Sequence, residues 1–180
     1  MNKTYPVKIG DITENLPVLK ISDGMSIAFF NLHGNVALTE RCAALLADRL
    51  EGKTFDVILT AESKGLQLAH CLARNLSHPF YAVARKSKKL YMQDGLSARV
   101  KSITTENMQT LYLSAHDAEL IKGRRVALVD DVVSTGGSLS AMRSLVEQAG
   151  GEVAVNAAVL AEGAAAERPD LIYLASIPVL

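Results

Sequence analysis

Cysteine is scarce: only Cys42 and Cys71 occur in 180 residues. They lie far apart, with no His or Cys beside them at metal-ligand spacing, so no zinc site or disulfide framework is expected. Both sit among apolar residues in helix-like segments, which predicts two reduced, buried thiols and fits a reducing cytoplasm. Net charge is also missing, since 19 Lys and Arg balance 19 Asp and Glu. A nucleic-acid-binding chain usually carries a basic excess, so neither DNA nor RNA is expected as a partner. The first twenty residues, MNKTYPVKIGDITENLPVLK, contain no apolar core of the kind a signal peptide needs. No run approaches the roughly 18 apolar residues of a membrane span, so no membrane partner is expected. Two phosphate motifs are absent as well. Without GxxxxGK(S/T) the chain is not a P-loop NTPase, and without GxGxxG after a strand a dinucleotide fold is unsupported. No repeat, low-complexity tract or linker divides the sequence, so residues 1–180 are expected to form a single domain.

What is present is an alternation. Apolar residues make up 49% of the chain and charged residues 21%, as in ordinary globular proteins. Short, β-branched apolar runs at 55–61, 80–85, 124–131, 152–161 and 171–177 read as five strands. Segments 38–52, 64–76 and 138–150 read as helices, the first with Thr39 as a plausible N-cap. Continuous apolar strands alternating with helices predict an α/β fold, a mostly parallel five-stranded sheet flanked by helices. Residues 5–35 carry short strand-like pieces that read as an addition to the sheet. Between the second and third strands lies a long polar stretch, 86–117. The alternation in ARVKSIT and TLYLSA suggests a two-stranded ribbon there, and long insertions of this kind are commonly functional lids.

The segment VALVDDVVSTGGSL, residues 126–139, joins a buried strand to two adjacent carboxylates and a small, hydroxyl-rich loop. In an open parallel sheet, ligands bind beyond the carboxyl ends of the strands. Gly136 and Gly137 lack a Cβ, so their backbone N–H groups can approach an anion closely. The helix that follows adds positive partial charge, and Ser134, Thr135 and Ser138 add hydroxyl donors. This is a pocket for one phosphate monoester. Asp130 and Asp131 cannot bind that phosphate; they suit neighbouring sugar hydroxyls or a divalent cation carried by the substrate.

The whole string resembles the phosphoribosyl pyrophosphate (PRPP) motif of the type I phosphoribosyltransferase family. The resemblance implies that Asp130 and Asp131 hold the ribose hydroxyls and that Val133, Ser134, Thr135, Gly136, Gly137 and Ser138 hold the 5′-phosphate. TAESKGLQLA (60–69) is similar to the pyrophosphate loop of the purine branch, which assigns Glu62, Ser63, Lys64 and Gly65 to pyrophosphate. That loop often carries a non-proline cis peptide, expected near Glu62-Ser63-Lys64. ARKSKKLYMQD (84–94) resembles the ARKxK segment of xanthine and adenine enzymes, adding Arg85, Lys86, Lys88 and Lys89 to the pyrophosphate site. By the same resemblance, residues 1–36 correspond to a hood and 90–117 to a mobile β-ribbon lid. Closure of a lid would exclude water that could hydrolyse PRPP. Adenine-specific members carry a lid glutamate that assists proton transfer, and Glu106 is the nearest acid. Magnesium is implied as an ion bound with PRPP, near Asp130 and Asp131, with no metal site made by protein alone. A homodimer in the cytoplasm is implied too.

The resemblance also bears on the base. SIAFFNLHGN (26–35) is similar to the hood of the xanthine and adenine enzymes, where Phe29 or Phe30 could stack on a purine and Asn31 could bond its edge. Val132 falls among the base-site residues as well. Where 6-oxopurine enzymes place a lysine, this sequence has Glu162. A carboxylate there would repel O6 and accept from an exocyclic amine, so adenine is the first choice. A xanthine or other 6-oxopurine enzyme, or a PRPP-sensing regulator without turnover, are the alternatives.

Overall fold

The computed structural model describes residues 3–101 and 108–180. Five strands form one wholly parallel sheet: β4 (Val57–Ala61), β5 (Tyr81–Ala84), β8 (Arg125–Val133), β9 (Glu152–Glu162) and β10 (Leu171–Ile177), in the order β10-β9-β8-β4-β5. Every residue of β4 is buried, as expected of a central strand covered on both faces. Helices α1 (Val36–Arg49) and α2 (Leu66–Asn75) cover one face. Their Leu46, Leu68 and Leu72 meet Ile58, Ala127, Val129 and Val159 from the sheet. Helix α4 (Gly137–Gln148) covers the other face, where Met142, Leu145 and Val146 meet Val126, Leu128 and Ala158. β8 and β4 therefore lie in the middle, with their carboxyl ends side by side.

Three expectations need correction. The N-terminal segment does not extend the parallel sheet: β1 (Thr4–Ile9), β2 (Ile12–Ser22) and β3 (Met25–Ala28) form their own antiparallel sheet. It is held to the domain through Val7, Ile9 and Leu16, which join the core beside α1. Helix α1 begins two residues earlier than expected and is capped by Asn35, whose Oδ1 accepts from Leu38 N at 3.1 Å. Thr39 lies inside the helix, its hydroxyl donating back to Asn35 O at 2.7 Å. The ribbon β6 (Leu96–Lys101) and β7 (Met108–Leu113) forms as expected, but the chain after it turns into a short helix, α3 (Ala115–Ile121). Ser114 caps this helix through Asp117 N, and Ile121 plugs into the core.

The ribbon is anchored at its base. Ala98, Leu111 and Leu113 are buried in the same cluster as α4, and Arg85 and Tyr112 exchange backbone hydrogen bonds of 2.7 and 2.8 Å. Residues 96–98 and 111–113 thus belong to the folded body, and the ribbon projects from β5. Cys42 and Cys71 are free and buried, as expected. Burial pushes the Cys42 thiol up to about 12.

Candidate active site

β8 is apolar and buried from Val126 to Val129, and its pairing with β9 continues past the acids to Val133. Asp130 and Asp131 therefore sit within the strand end, only 9% and 6% exposed. Asp131 N donates to Asp130 Oδ1 at 2.9 Å, which fixes the first carboxylate against the backbone of the second. Asp131 has a counter-charge: Lys64 Nζ donates to its Oδ2 at 2.8 Å. Burial, and then the charge of Asp131, hold the Asp130 carboxyl well above the usual carboxylate range.

The next residues leave the strand and open α4. Gly136 takes the left-handed conformation, φ 79°, that a Cβ disfavours. No side chain caps the helix, so its first N–H groups face the loop without an intrahelical partner. Ser134, Gly136 and Gly137 are half-buried, whereas Thr135 and Ser138 are exposed. The arrangement offers backbone donors, hydroxyls and a helix N-terminus to an anion.

The turn after β4 stands beside it. The Glu62–Ser63 peptide is cis, as expected. Gly65 is required by crowding: a Cβ there would overlap the buried Thr60 hydroxyl and press on Ala61 O at 3.3 Å. The same position lies 3.6 Å from Asp130 Oδ1, so this turn is packed directly on the acid pair. Glu62 organises the neighbouring strand end: its carboxylate accepts from Lys86 N at 2.9 Å and from Arg85 Nη1 at 3.4 Å. Lys64, besides reaching Asp131, donates to Phe30 O at 3.1 Å and lies 5.4 Å from the Phe29 ring centroid. One ammonium group thus joins the turn, the acid pair and the N-terminal segment.

The structure brings together Asp130, Asp131, Lys64, Gly65 and the backbone at Phe30, with Glu62, Arg85 and Lys86 at the adjoining strand end. Lys88 and Lys89 are exposed beyond β5. Phe30 corrects the expectation of a stacking ring, because its side chain is 2% exposed and belongs to the core. Phe29 is the half-buried ring of the pair, and Asn31 is half-buried with its Oδ1 accepting from His33 N. Val133 is likewise a core residue, leaving its backbone for the loop. Val132 is half-buried beside the opposite cluster. Glu162 is half-buried at the end of β9, one position past the Val133–Ala161 pair. Glu106 lies outside the described residues. Three further residues escaped sequence reasoning. His33 accepts from Gln67 Nε2 at 3.0 Å and lies 3.5 Å from Ser63 Oγ, tying the N-terminal segment to the cis-peptide turn. Arg168 lies against Gly136. His33 and Gln67 lie in segments singled out for other residues, and spatial proximity is what reveals all three.

Among the described residues no group of three or more His, Cys, Asp and Glu is placed to hold a metal ion. Asp130 and Asp131 supply hard carboxylate oxygens at one point, a donor set that fits magnesium bound mainly by substrate phosphates and water.

A family model described as phosphoribosyl transferase domain matches residues 31–178. An adenine phosphoribosyltransferase of Flavobacterium johnsoniae is 37% identical over 122 residues, 68% of either chain. A xanthine phosphoribosyltransferase of an Exiguobacterium species is 34% identical over 127 residues, 70% of this chain and 64% of that one. The fold is similar to a crystal structure of adenine phosphoribosyltransferase from Thermoanaerobacter pseudethanolicus, with a TM-score of 0.75 at 24% identity, covering 90% of this chain and 95% of that one.

Proposed function

The chain belongs to the phosphoribosyl transferase domain family, and from that premise we propose that it transfers the phosphoribosyl group of PRPP to a purine base, with adenine as first choice. One observation carries the reading. A buried carboxylate pair ends the central strand, and an uncapped helix N-terminus with a left-handed glycine follows within a few residues. That is a place for a sugar bearing a phosphate, not for a phosphate alone.

In this reading Asp130 and Asp131 accept from the ribose hydroxyls. Backbone N–H groups and hydroxyls of residues 134–138 hold the 5′-phosphate. The 62–65 turn, with Arg85 and Lys86, receives the pyrophosphate, and Lys64 is drawn toward it from Asp131. Lys88 and Lys89 add positive charge at the rim. The bond from C1 to the pyrophosphate oxygen breaks with its electron pair leaving on pyrophosphate, C1 becomes oxocarbenium-like, and a purine ring nitrogen forms the new bond. The chain contributes positioning and charge stabilisation of the leaving group. Magnesium, when it comes with PRPP, neutralises part of the pyrophosphate charge. Asn31, Val132 and Glu162, with Phe29 in place of Phe30, are the residues offered to the base. Glu106 is proposed as the lid acid that moves a proton at the purine. A cytoplasmic homodimer completes the proposal; among the described residues no helix is long and apolar enough to cross a membrane.

A second reading, a xanthine enzyme, is supported by the 34% identity to the Exiguobacterium relative. Pyrophosphate release with PRPP, magnesium and each of adenine, hypoxanthine, guanine, xanthine and a pyrimidine separates them. Adenine turnover is expected. Turnover with xanthine alone would replace the first reading, and tight PRPP binding without turnover on any base would point to a sensor.

A further inference from the structure

The loop at 134–138 contains no cation of its own, yet a guanidinium stands against it. A Cβ built on Gly136 would meet Arg168 Nη1 at 2.5 Å and Cζ at 3.5 Å, so the side chain occupies the space that glycine leaves open. Arg168 comes from the connection between the short 3-10 helix Gly163–Glu167 and β10, the edge strand next to β9. Its direction is fixed. Nε and Nη2 donate to Asp170 Oδ1 and Oδ2 at 3.1 and 2.8 Å, a fork that leaves Nη1 pointing away from the carboxylate. Asp170 is fixed in turn by Asn156, a 3% exposed residue of β9, whose Nδ2 donates to Asp170 O and Oδ2 at 3.0 Å each. The pairing also holds the Asp170 carboxyl below its ordinary range. A chain of contacts thus runs from inside the sheet to the loop that opens α4.

We propose that Arg168 is a positioning residue for the 5′-phosphate loop, held by Asp170 and Asn156 so that its guanidinium braces Gly136 and directs positive charge at the phosphate. The inference rests on the transferase reading above. Gly136 serves it twice, since its left-handed backbone turns the N–H groups and its missing Cβ admits the guanidinium. Lysine could supply the charge but not the fork that aims it.

Calorimetric titration with ribose 5-phosphate and, separately, with pyrophosphate tests it, because only the first ligand needs this loop. Arg168→Gln is expected to weaken ribose 5-phosphate about tenfold, the usual weight of a charge-assisted contact, and to leave pyrophosphate unchanged. Asp170→Asn is expected to weaken ribose 5-phosphate as well, although it removes a negative charge; unchanged or tighter binding would overturn the bracing role. Arg168→Lys is expected to recover little, and full recovery would show that charge alone matters. Equal losses for both ligands would mean general damage and would also overturn the proposal. In steady state, KM for PRPP should rise while kcat holds. If the unaltered protein binds both ligands and Arg168→Gln matches it, this inference fails and the transferase reading stands. If the unaltered protein binds neither ligand, both fail.

Discussion

Two strand–loop–helix corners meet at the carboxyl edge of the sheet, and they offer an anion different things. The corner after β8 relies on backbone: a left-handed Gly136, an uncapped helix and hydroxyls. Its one cation is imported from another loop and is already paired with Asp170. The corner after β4 carries its own ammonium, Lys64, and is cross-braced to Asp131 and to the backbone of the N-terminal segment at Phe30. The first is built before substrate arrives. The second must give up a contact of 2.8 Å with Asp131 if Lys64 is to serve a pyrophosphate. A phosphate monoester that stays attached through the reaction suits the fixed corner, and a leaving group suits the one that can change partners.

The largest expected effect comes from the acids both corners share. Asp130→Asn with Asp131→Asn should lower pyrophosphate release by about 10³-fold or more, the scale of losing preorganised charge at a reacting centre, with circular dichroism unchanged. Near-normal turnover would remove the acids from the site.

Glycine substitutions then compare the corners directly by thermal denaturation. Gly65→Ala drives a Cβ into the Thr60 hydroxyl and a backbone carbonyl, and should cost about 2–3 kcal/mol as overpacking. Gly136→Ala meets a side-chain end, that of Arg168, rather than backbone, and should cost about 1 kcal/mol, mostly from its positive φ. The reverse order would show that the β8 corner is the tighter one.

Lys64→Met should weaken pyrophosphate about tenfold in titrations while sparing ribose 5-phosphate, the mirror image of the Arg168 variants. Loss of both would make Lys64 a brace for the acids instead.

A pH series tests the buried Asp130 carboxyl. Because the Asp130 carboxyl is held above its unfolded value of 3.8, the folded state binds the extra proton. Its contribution is full below 3.8 and is lost as pH rises through the folded value. Asp130→Asn should therefore be more heat-stable than the unaltered protein at neutral pH, with the gap closing below 3.8. A gap that persists in acid would show another origin. The smallest expected change is in base choice: Glu162→Lys should shift relative turnover from adenine toward 6-oxopurines, and no shift would place Glu162 away from the base.

The sheet was legible because its central strands are buried on both faces and so stand out as largely apolar runs such as VILTA and VALV. The acid pair and the two glycine-containing turns beside it were legible because each is contiguous in sequence. The N-terminal sheet was less so: β2 is eleven residues of mixed polarity with Pro17 inside, and nothing in it reveals that its partners are β1 and β3 alone. Helix α3 has seven residues, too few for a periodic signal. Which of Phe29 and Phe30 keeps an accessible ring stayed open in the sequence for a related reason, since neighbouring residues at a strand's end differ only in which side they face. Arg168 and His33 reach the site from 32 and 30 residues away along the chain, from Gly136 and Ser63 respectively, and act by proximity that no spacing encodes.

The buried thiol of Cys42 gives the protein an internal clock. With its pKa pushed up to about 12 by burial, the thiol stays protonated and unreactive at neutral pH while it is buried. A disulfide reagent added to the intact protein should therefore modify this site only as fast as α1 exposes it. Slowing of that labelling by PRPP, read by mass spectrometry, would report in seconds or hours how far a ligand at the sheet's edge holds shut a helix on its face.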